Sequence, residues 1–321
     1  MTNILSSSSV QSALQTLLFS NDTLQKTQER VTSGYKIASA ADNSGYWSTA
    51  TNLTSDGNVL TSIGDALNLG ASKVDTTYEA VSSMIDVTDQ IMTQLTTAYE
   101  TGTDRSQINN AIGALKDNLY SISQAATFSG DNWLFNSSEQ LPAEKVVPFS
   151  FHKGISGSIS LEYLTVNTAE TTLVDTNDAN RGLLTKGVDA SARDANGGSS
   201  AREYYLLDAN SATAASGTEI SVSDATTRDE LDDIVYVVGQ LSSQLKQLGA
   251  SLGTMSNRMD QQTTFVSSLK DSMDKSVSRL VDANMEEEST RLTAYKTQRD
   301  LAVEVVSMAN NHRKSLASLF G

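Results

Sequence analysis

From Leu231 to Ala283 an apolar or small residue recurs at alternating steps of three and four: Leu231, Ile234, Val238, Leu241, Leu245, Leu248, Leu252, Met255, Met259, Gln262, Val266, Leu269, Met273, Ser276, Leu280 and Ala283. Only Gln262 and Ser276 interrupt it. Steps averaging about 3.5 residues keep one narrow stripe on the same side of a supercoiled helix. A stripe this long needs partner helices. Near the other end of the chain Leu60, Leu67, Val74, Val81, Thr88 and Leu95 recur every seven residues, with Ile63, Gly70, Thr77, Met84, Ile91 and Ala98 as the alternate seam. Ile108, Ala111, Ile112, Leu115, Leu119, Ile122 and Ala126 repeat the pattern after a turn-like Thr101–Asp104, where Asp104 is placed to cap the new helix. The pattern predicts two antiparallel N-terminal helices closing against one long C-terminal helix.

The chain ends extend the helices. Val10, Leu17, Leu24 and Val31 stand at strict sevens, flanked by Ala13, Leu14 and Leu18, and predict a helix from residue 1 to about 33 that Gly34 stops. Residues 35–57 read as a spacer with turn chemistry and room for some helix. The C-terminal helix is expected to start near Asp224 and run unbroken to about Leu319. Its last part has a broader apolar face, Leu292, Tyr295, Leu301, Ala302, Val305, Val306, Met308, Ala309, Leu316, Leu319 and Phe320. That face is wider than a coiled-coil seam and calls for neighbours on more than one side.

From about 140 to 225 the texture changes. Pro142 and Pro148 lie here, Ile159, Leu161, Tyr163 and Thr165 alternate as in a strand, and Val146–Phe151 and Ile220–Val222 read as strands. The fold class expected is therefore mainly α: an elongated antiparallel coiled-coil rod built from both chain ends, with a small β-rich insertion. The expected divisions are 1–40 and 279–321 for a terminal helical domain, 41–140 and 226–278 for the rod, and 141–225 for the insertion.

The 321 residues are 38% hydrophobic, which suits a narrow seam better than a round core. Residues 1–40 carry a net +1 and residues 276–321 a net of zero, leaving −16 for the segment between. Near-neutral ends suit packing against copies of the same chain. An acidic middle argues against nucleic acid or anionic lipid as a partner. No apolar run of about 18 residues predicts a membrane span. Met1–Leu5 followed by four serines lacks the basic start and apolar run of a cleaved signal peptide. Cysteine is absent, which excludes disulfides, thiolate metal sites and cysteine nucleophiles.

Little in the chain suggests chemistry. Glu286-Glu287-Glu288 reads as a solvated or subunit-facing charge run, with Glu287 and Arg291 spaced to pair along a helix. His152 and His312 lack metal-ligand spacing. Asp175-Thr176-Asn177-Asp178 lacks the acid and glycine offsets of a calcium loop. No phosphate loop or Ser-His-Asp ordering is present, so no enzyme, cofactor or metal is expected.

Three segments together resemble bacterial flagellin. They are Leu24–Val59 (LQKTQERVTSGYKIASAADNSGYWSTATNLTSDGNV), Thr127–Leu134 (TFSGDNWL) and Arg291–Phe320 (RLTAYKTQRDLAVEVVSMANNHRKSLASLF). Each motif is soft alone, but their order and spacing are specific. Gly45-Tyr46-Trp47 and Asp131-Asn132-Trp133 are similar to rhizobial and related alphaproteobacterial flagellins. The resemblance covers roughly 1–140 and 225–321.

It implies a subunit that polymerises into the extracellular flagellar filament for swimming, with terminal segments that order on assembly. The polymerisation residues would be Val10, Leu14, Leu17, Leu24, Val31, Leu292, Leu301, Val305, Met308, Leu316, Leu319 and Phe320. The rod seam would be Leu60, Leu67, Val74, Val81, Leu95, Leu241, Leu245, Leu248 and Leu252. The implied partners are further copies in a helical homopolymer, other flagellins where they co-assemble, hook-associated and cap proteins, and the flagellum-specific type III export machinery. In the stretch Asp89–Leu95, which resembles the family's innate-receptor segment and includes Gln90 and Leu95, Ile91 and Thr93 stand where arginines would lie and Gln94 where an acid would, which predicts weak or absent receptor activation. Ile91 is also a seam position, which accounts for it without any receptor. The alternatives are a hook–filament junction protein and, from a different class, a secreted adhesin displaying the β insertion.

Overall fold

The structure is a computed structural model that describes residues 3–154, 159–191 and 202–320, with the side chains of 3–10, 153, 159, 309, 312–314 and 316–320 outside that description. Its elements in order are α1 (Asn3–Ser33), α2 (Ser44–Thr97), α3 (Arg105–Ala125), β1 (Thr127–Phe128), β2 (Asp131–Asn132), β3 (Phe135–Asn136), β4 (Glu144–Lys153) and β5 (Ile159–Asn167). There follow α4 (Thr168–Thr171), β6 (Val174–Asp175), a 3-10 turn (Ala179–Arg181), β7 (Val188–Asp189), β8 (Glu203–Tyr205), β9 (Thr218–Glu219), α5 (Arg228–Val281) and α6 (Met285–Phe320). The chain is mainly α with a strand-containing middle, as its periodicity predicts. It divides into two compact units, Met1–Thr61 with Ser268–Gly321, and Ser62–Ser267.

In the second unit α2 and α5 run antiparallel and close-packed. Gly249 lies under Ile85 and Val81, Gly253 under Tyr78, and Gly239 near Met92. Leu67, Val74, Val81, Met84, Ile91 and Leu95 of α2 are fully buried, as are Leu241 and Leu245 of α5. Ile108, Ile112 and Leu119 of α3 complete that core. Asp104 caps α3 as expected: its carboxylate accepts the amides of Ser106 and Gln107 at 3.0 and 3.1 Å. Burying each such aliphatic side chain contributes roughly 1.5–3 kcal/mol, so the seam carries most of the unit's stability.

The TFSGDNWL segment turns the chain from helices to strands. Ser129 and Gly130 both take positive φ, the requirement of a tight two-residue hairpin turn, and join β1 to β2. Asn132 then donates its side-chain amide to the Ser123 carbonyl at the end of α3 and accepts the amides of Leu134 and Phe135. Asp131 bridges Lys73 of α2 at 2.5 Å and Lys145 of β4 at 3.2 Å. Those two ammonium groups, Lys73 foremost, hold its carboxyl below the usual carboxylate range.

The β4–β5 hairpin lies on the helices. Its Val147 joins Trp133, Val74, Val166 and Met259 in a second apolar cluster. It settles over Gly70, where a Cβ would come 2.4 Å from the valine Cγ1. Gln262, the polar break in the α5 stripe, donates to the Ser150 hydroxyl at 3.0 Å. The break is thus a contact with the hairpin. The expected strand at Ile220–Val222 is displaced to Thr218–Glu219. Asn109 Oδ1 takes the Val222 amide, and Lys116 of α3 donates to the Ile220 carbonyl and to Glu219. Side chains of α3 therefore occupy the backbone groups that a longer ladder would need.

In the first unit Gly34, at φ +78°, ends α1. The 35–57 spacer divides into a turn segment and helix: Asn43 accepts the Tyr46 amide and starts α2 at Ser44. The C-terminal helix is also not continuous from near Asp224 to Leu319. A capping box formed by Thr227 and Glu230 starts it at Arg228. It breaks after Val281, where Ala283 donates its amide to the Gly34 carbonyl at 2.8 Å. Asn284 then caps α6 by accepting the Glu286 and Glu287 amides. The three glutamates that follow sit where the helix dipole favours negative charge.

Candidate functional site

No helix among the described residues is long and apolar enough to cross a membrane, and no described cluster of His, Asp or Glu could hold a metal. Asp175, fully buried, spends its carboxylate on the amides of Asn177 and Asp178 and the side chain of Asn136. What stands out instead is apolar surface on the terminal helices.

In the first unit α1 packs on α6. The seam is thin and half polar: Ser20, Leu24 and Thr27 are buried on α1, and Glu288 and Ala302 on α6. Arg30 reaches Glu288 at 3.4 Å, and Arg291 holds Glu287 at 2.6 Å. The charge run read from the sequence is therefore split, with Glu287 in the expected i,i+4 pair and Glu288 inside the seam. Against that small core the pair leaves Leu14, Leu18, Phe19, Leu301, Val303, Val305 and Met308 exposed, Phe19 by 71%. Ala13, Phe19, Leu301, Ala302 and Val305 line an apolar cleft of about 500 Å³ between the helices. Contiguous apolar surface of this kind marks an interaction face.

Of the residues expected to serve polymerisation, Leu14, Leu301, Val305 and Met308 are on the open face, and Leu17, Val31 and Leu292 are half-buried. Leu24 is spent on the α1–α6 seam. The side chains of Val10, Leu316, Leu319 and Phe320 lie outside the described residues. Phe19 and Val303 lie outside the set the sequence predicts: Phe19 is two positions past Leu17 of the heptad, and Val303 sits between Ala302 and Val305 of the broad face. Their signal was a large apolar side chain beside a stripe with too few partners.

The rod-seam residues Leu60, Leu67, Val74, Val81, Leu95, Leu241, Leu245 and Leu252 are buried, and Leu248 is half-buried. Burial along α5 fades toward its C-terminal end. Leu269, Met273 and Leu280 are half-buried and Ser276 is exposed, so the stripe continues past the cover its own chain provides. Ile91 and Leu95 are fully buried, while Gln90 is exposed and Gln94 half-buried.

Long helices from both chain ends, a buried seam between them and an apolar face left open on the terminal pair define a mainly helical structural protein. A family model for the bacterial flagellin N-terminal helical region matches residues 4–139, and one for the bacterial flagellin C-terminal helical region matches residues 235–320. Flagellin C of Rhizobium meliloti (strain 1021) is 43% identical over 320 residues, covering 100% of this chain and 99% of that protein. Flagellin A of the same strain is 34% identical over 395 aligned positions with full coverage of both. A flagellin of Brucella melitensis is 32% identical over 321 positions, covering 100% of this chain and 99% of that protein. The chain belongs to the bacterial flagellin family. It is a structural subunit of the extracellular flagellar filament, of rhizobial type.

Proposed function

We propose that this flagellin polymerises through the open apolar faces of α1 and α6, which a growing filament end covers with the same helices of neighbouring copies. The observation that carries this reading is the exposure of Leu14, Leu18, Phe19, Leu301, Val305 and Met308 beside a seam made of Ser20, Leu24, Thr27 and Ala302. So thin a core orders α1 and α6 weakly in the free subunit, and burial in the polymer supplies the missing free energy. Residues 1–40 and 279–321 serve as the inner-tube part of the filament, 41–140 and 226–278 as the rod around it, and 141–225 as the outer insertion. The near-neutral ends and acidic middle fit that order.

The role is purely structural, without catalysis, in keeping with a family of structural proteins. Export runs through the flagellar type III machinery, and hook-associated and cap proteins bind the filament ends. Innate-receptor activation is weak, since the Gln90–Leu95 stretch offers no guanidinium and its Ile91 is turned into the seam. A cell reporter assay giving full activation at nanomolar protein would sink that last statement.

Deleting residues 1–30 tests the main reading. The truncated chain should keep the cooperative thermal transition of the Ser62–Ser267 unit and should not extend filament seeds. Seeded growth of the truncated chain would refute it.

A further inference from the structure

Among the methionines whose side chains are described, the exposed ones are Met285 at 46% and Met308 at 58%, both on α6. Met84 and Met259 are fully buried, and Met92, Met255 and Met273 are half-buried. Leu301, Val305 and Met308 follow one another at steps of four and three, so they share one stripe of the helix, on the open face assigned above to polymerisation. A thioether suits such a face, being apolar and able to adapt its shape to whatever covers it. It differs from its neighbours in one respect. Leu14, Leu18, Phe19, Leu301, Val303 and Val305 are hydrocarbons that a mild oxidant leaves alone, whereas the Met308 sulfur is open to attack.

We propose that Met308 is an oxidation site whose state decides whether a free subunit can join a filament. The reagent class is a two-electron peroxide oxidant. The sulfur lone pair attacks one peroxide oxygen, the S–O bond forms as the O–O bond breaks, and the leaving hydroxide takes up a proton to become water. Sulfur loses two electrons and the peroxide gains them. The product carries a strongly polar sulfoxide oxygen that accepts hydrogen bonds and donates none. Water solvates that oxygen in the free subunit. Covered by the Leu, Val and Phe side chains of a neighbouring copy's open face, it has no donor, and the burial that drives addition of the subunit is lost. The inference rests on the polymerisation reading above and adds a direction to it. The free subunit is sensitive, and the assembled one, its Met308 covered, is protected. Oxidised copies are thereby kept out of a filament whose existing subunits resist the same oxidant, and sulfoxide reductases return the excluded copies to use.

Dilute subunit and seeded filaments are each treated with hydrogen peroxide, and peptide mass spectrometry follows Met308 and Met285. Met308 should be oxidised about tenfold more slowly in filaments than in free subunit. Oxidised subunit should show a critical concentration raised about tenfold or more. Its Ser62–Ser267 unit should melt as before, because Met84 and Met259 are shielded. Met308→Leu removes the sulfur and keeps an apolar side chain of similar volume. Its critical concentration should be the same before and after peroxide, while Met285→Leu protein should lose assembly on treatment as the parent does. Methionine sulfoxide reductases should restore the treated parent. Full conversion of Met308 in the subunit with an unchanged critical concentration would overturn the inference and leave the terminal-helix interface standing. Equal oxidation rates in subunit and filament would show Met308 uncovered and overturn it too. An equal loss in Met308→Leu protein would assign the damage to another residue and remove Met308 from the account. Untreated subunit that does not extend competent seeds would overturn the polymerisation reading, and this inference with it.

Discussion

Phe19→Ala separates an assembly residue from a stability residue. A phenylalanine side chain buries roughly 150–250 Å² when fully covered. Phe19 is 71% exposed, so roughly 140 Å² remains for a neighbouring subunit to cover. At about 25 cal/mol per Å² that area is worth roughly 3.5 kcal/mol. Alanine retains part of it, which leaves a loss of roughly 2–3 kcal/mol per added subunit. Each 1.4 kcal/mol is a factor of ten, so the critical concentration should rise roughly 30- to 150-fold. The monomer should not suffer, because alanine is the better helix former at an exposed position of α1. Sedimentation of seeded assembly mixtures over a concentration series gives the critical concentration, and calorimetry gives the monomer transition. A critical concentration within threefold of the parent would refute the assignment of Phe19 to the interface. A lowered monomer melting temperature would show that the residue supports the subunit instead.

Gly70→Ala should destabilise the Ser62–Ser267 unit by about 1–3 kcal/mol, since its Cβ would meet Val147 Cγ1 at 2.4 Å, Met259 Cε at 2.8 Å and the Pro148 carbonyl at 3.2 Å; a melting temperature equal to or above the parent's would contradict that packing. Asp104→Ala removes the cap of α3 and should cost about 1 kcal/mol in chemical denaturation, whereas Asp104→Asn should cost far less. Asp131 has a folded pKa depressed below its unfolded value, so its pairs with Lys73 and Lys145 stabilise above the unfolded pKa and are lost as pH falls through the folded one. Asp131→Asn should therefore flatten the acid limb of the stability–pH curve, and an unchanged limb would remove these pairs from the account.

The seams were legible because a narrow coiled-coil stripe leaves its period in the sequence. Leu67, Val74, Val81, Leu241 and Leu245 all fall where the heptads put them, and Asp104 and Gly34 mark helix ends by their own chemistry. The break at 282–284 was not legible. No proline or glycine marks it, and the Gly34 carbonyl that takes the Ala283 amide comes from the far end of the chain. Gln262 reads as a flaw in the repeat and Gly70 as an ordinary seam position, and only the β4–β5 hairpin lying over them explains both residues. The terminal face was visible as an apolar stripe too broad for one partner. Which residues stay open depends on what α1 and α6 cover in each other, so Leu24 went to the seam while Phe19 stayed outside it.

Amide hydrogen exchange on dilute subunit and on filaments measures the central claim directly. Amides in Leu14–Val31 of α1 and Leu292–Met308 of α6 should slow by at least a hundredfold on polymerisation, while those around Leu67 and Leu241 should be slow in both states. Filaments whose α1 and α6 amides exchange as fast as in the free subunit would contradict it.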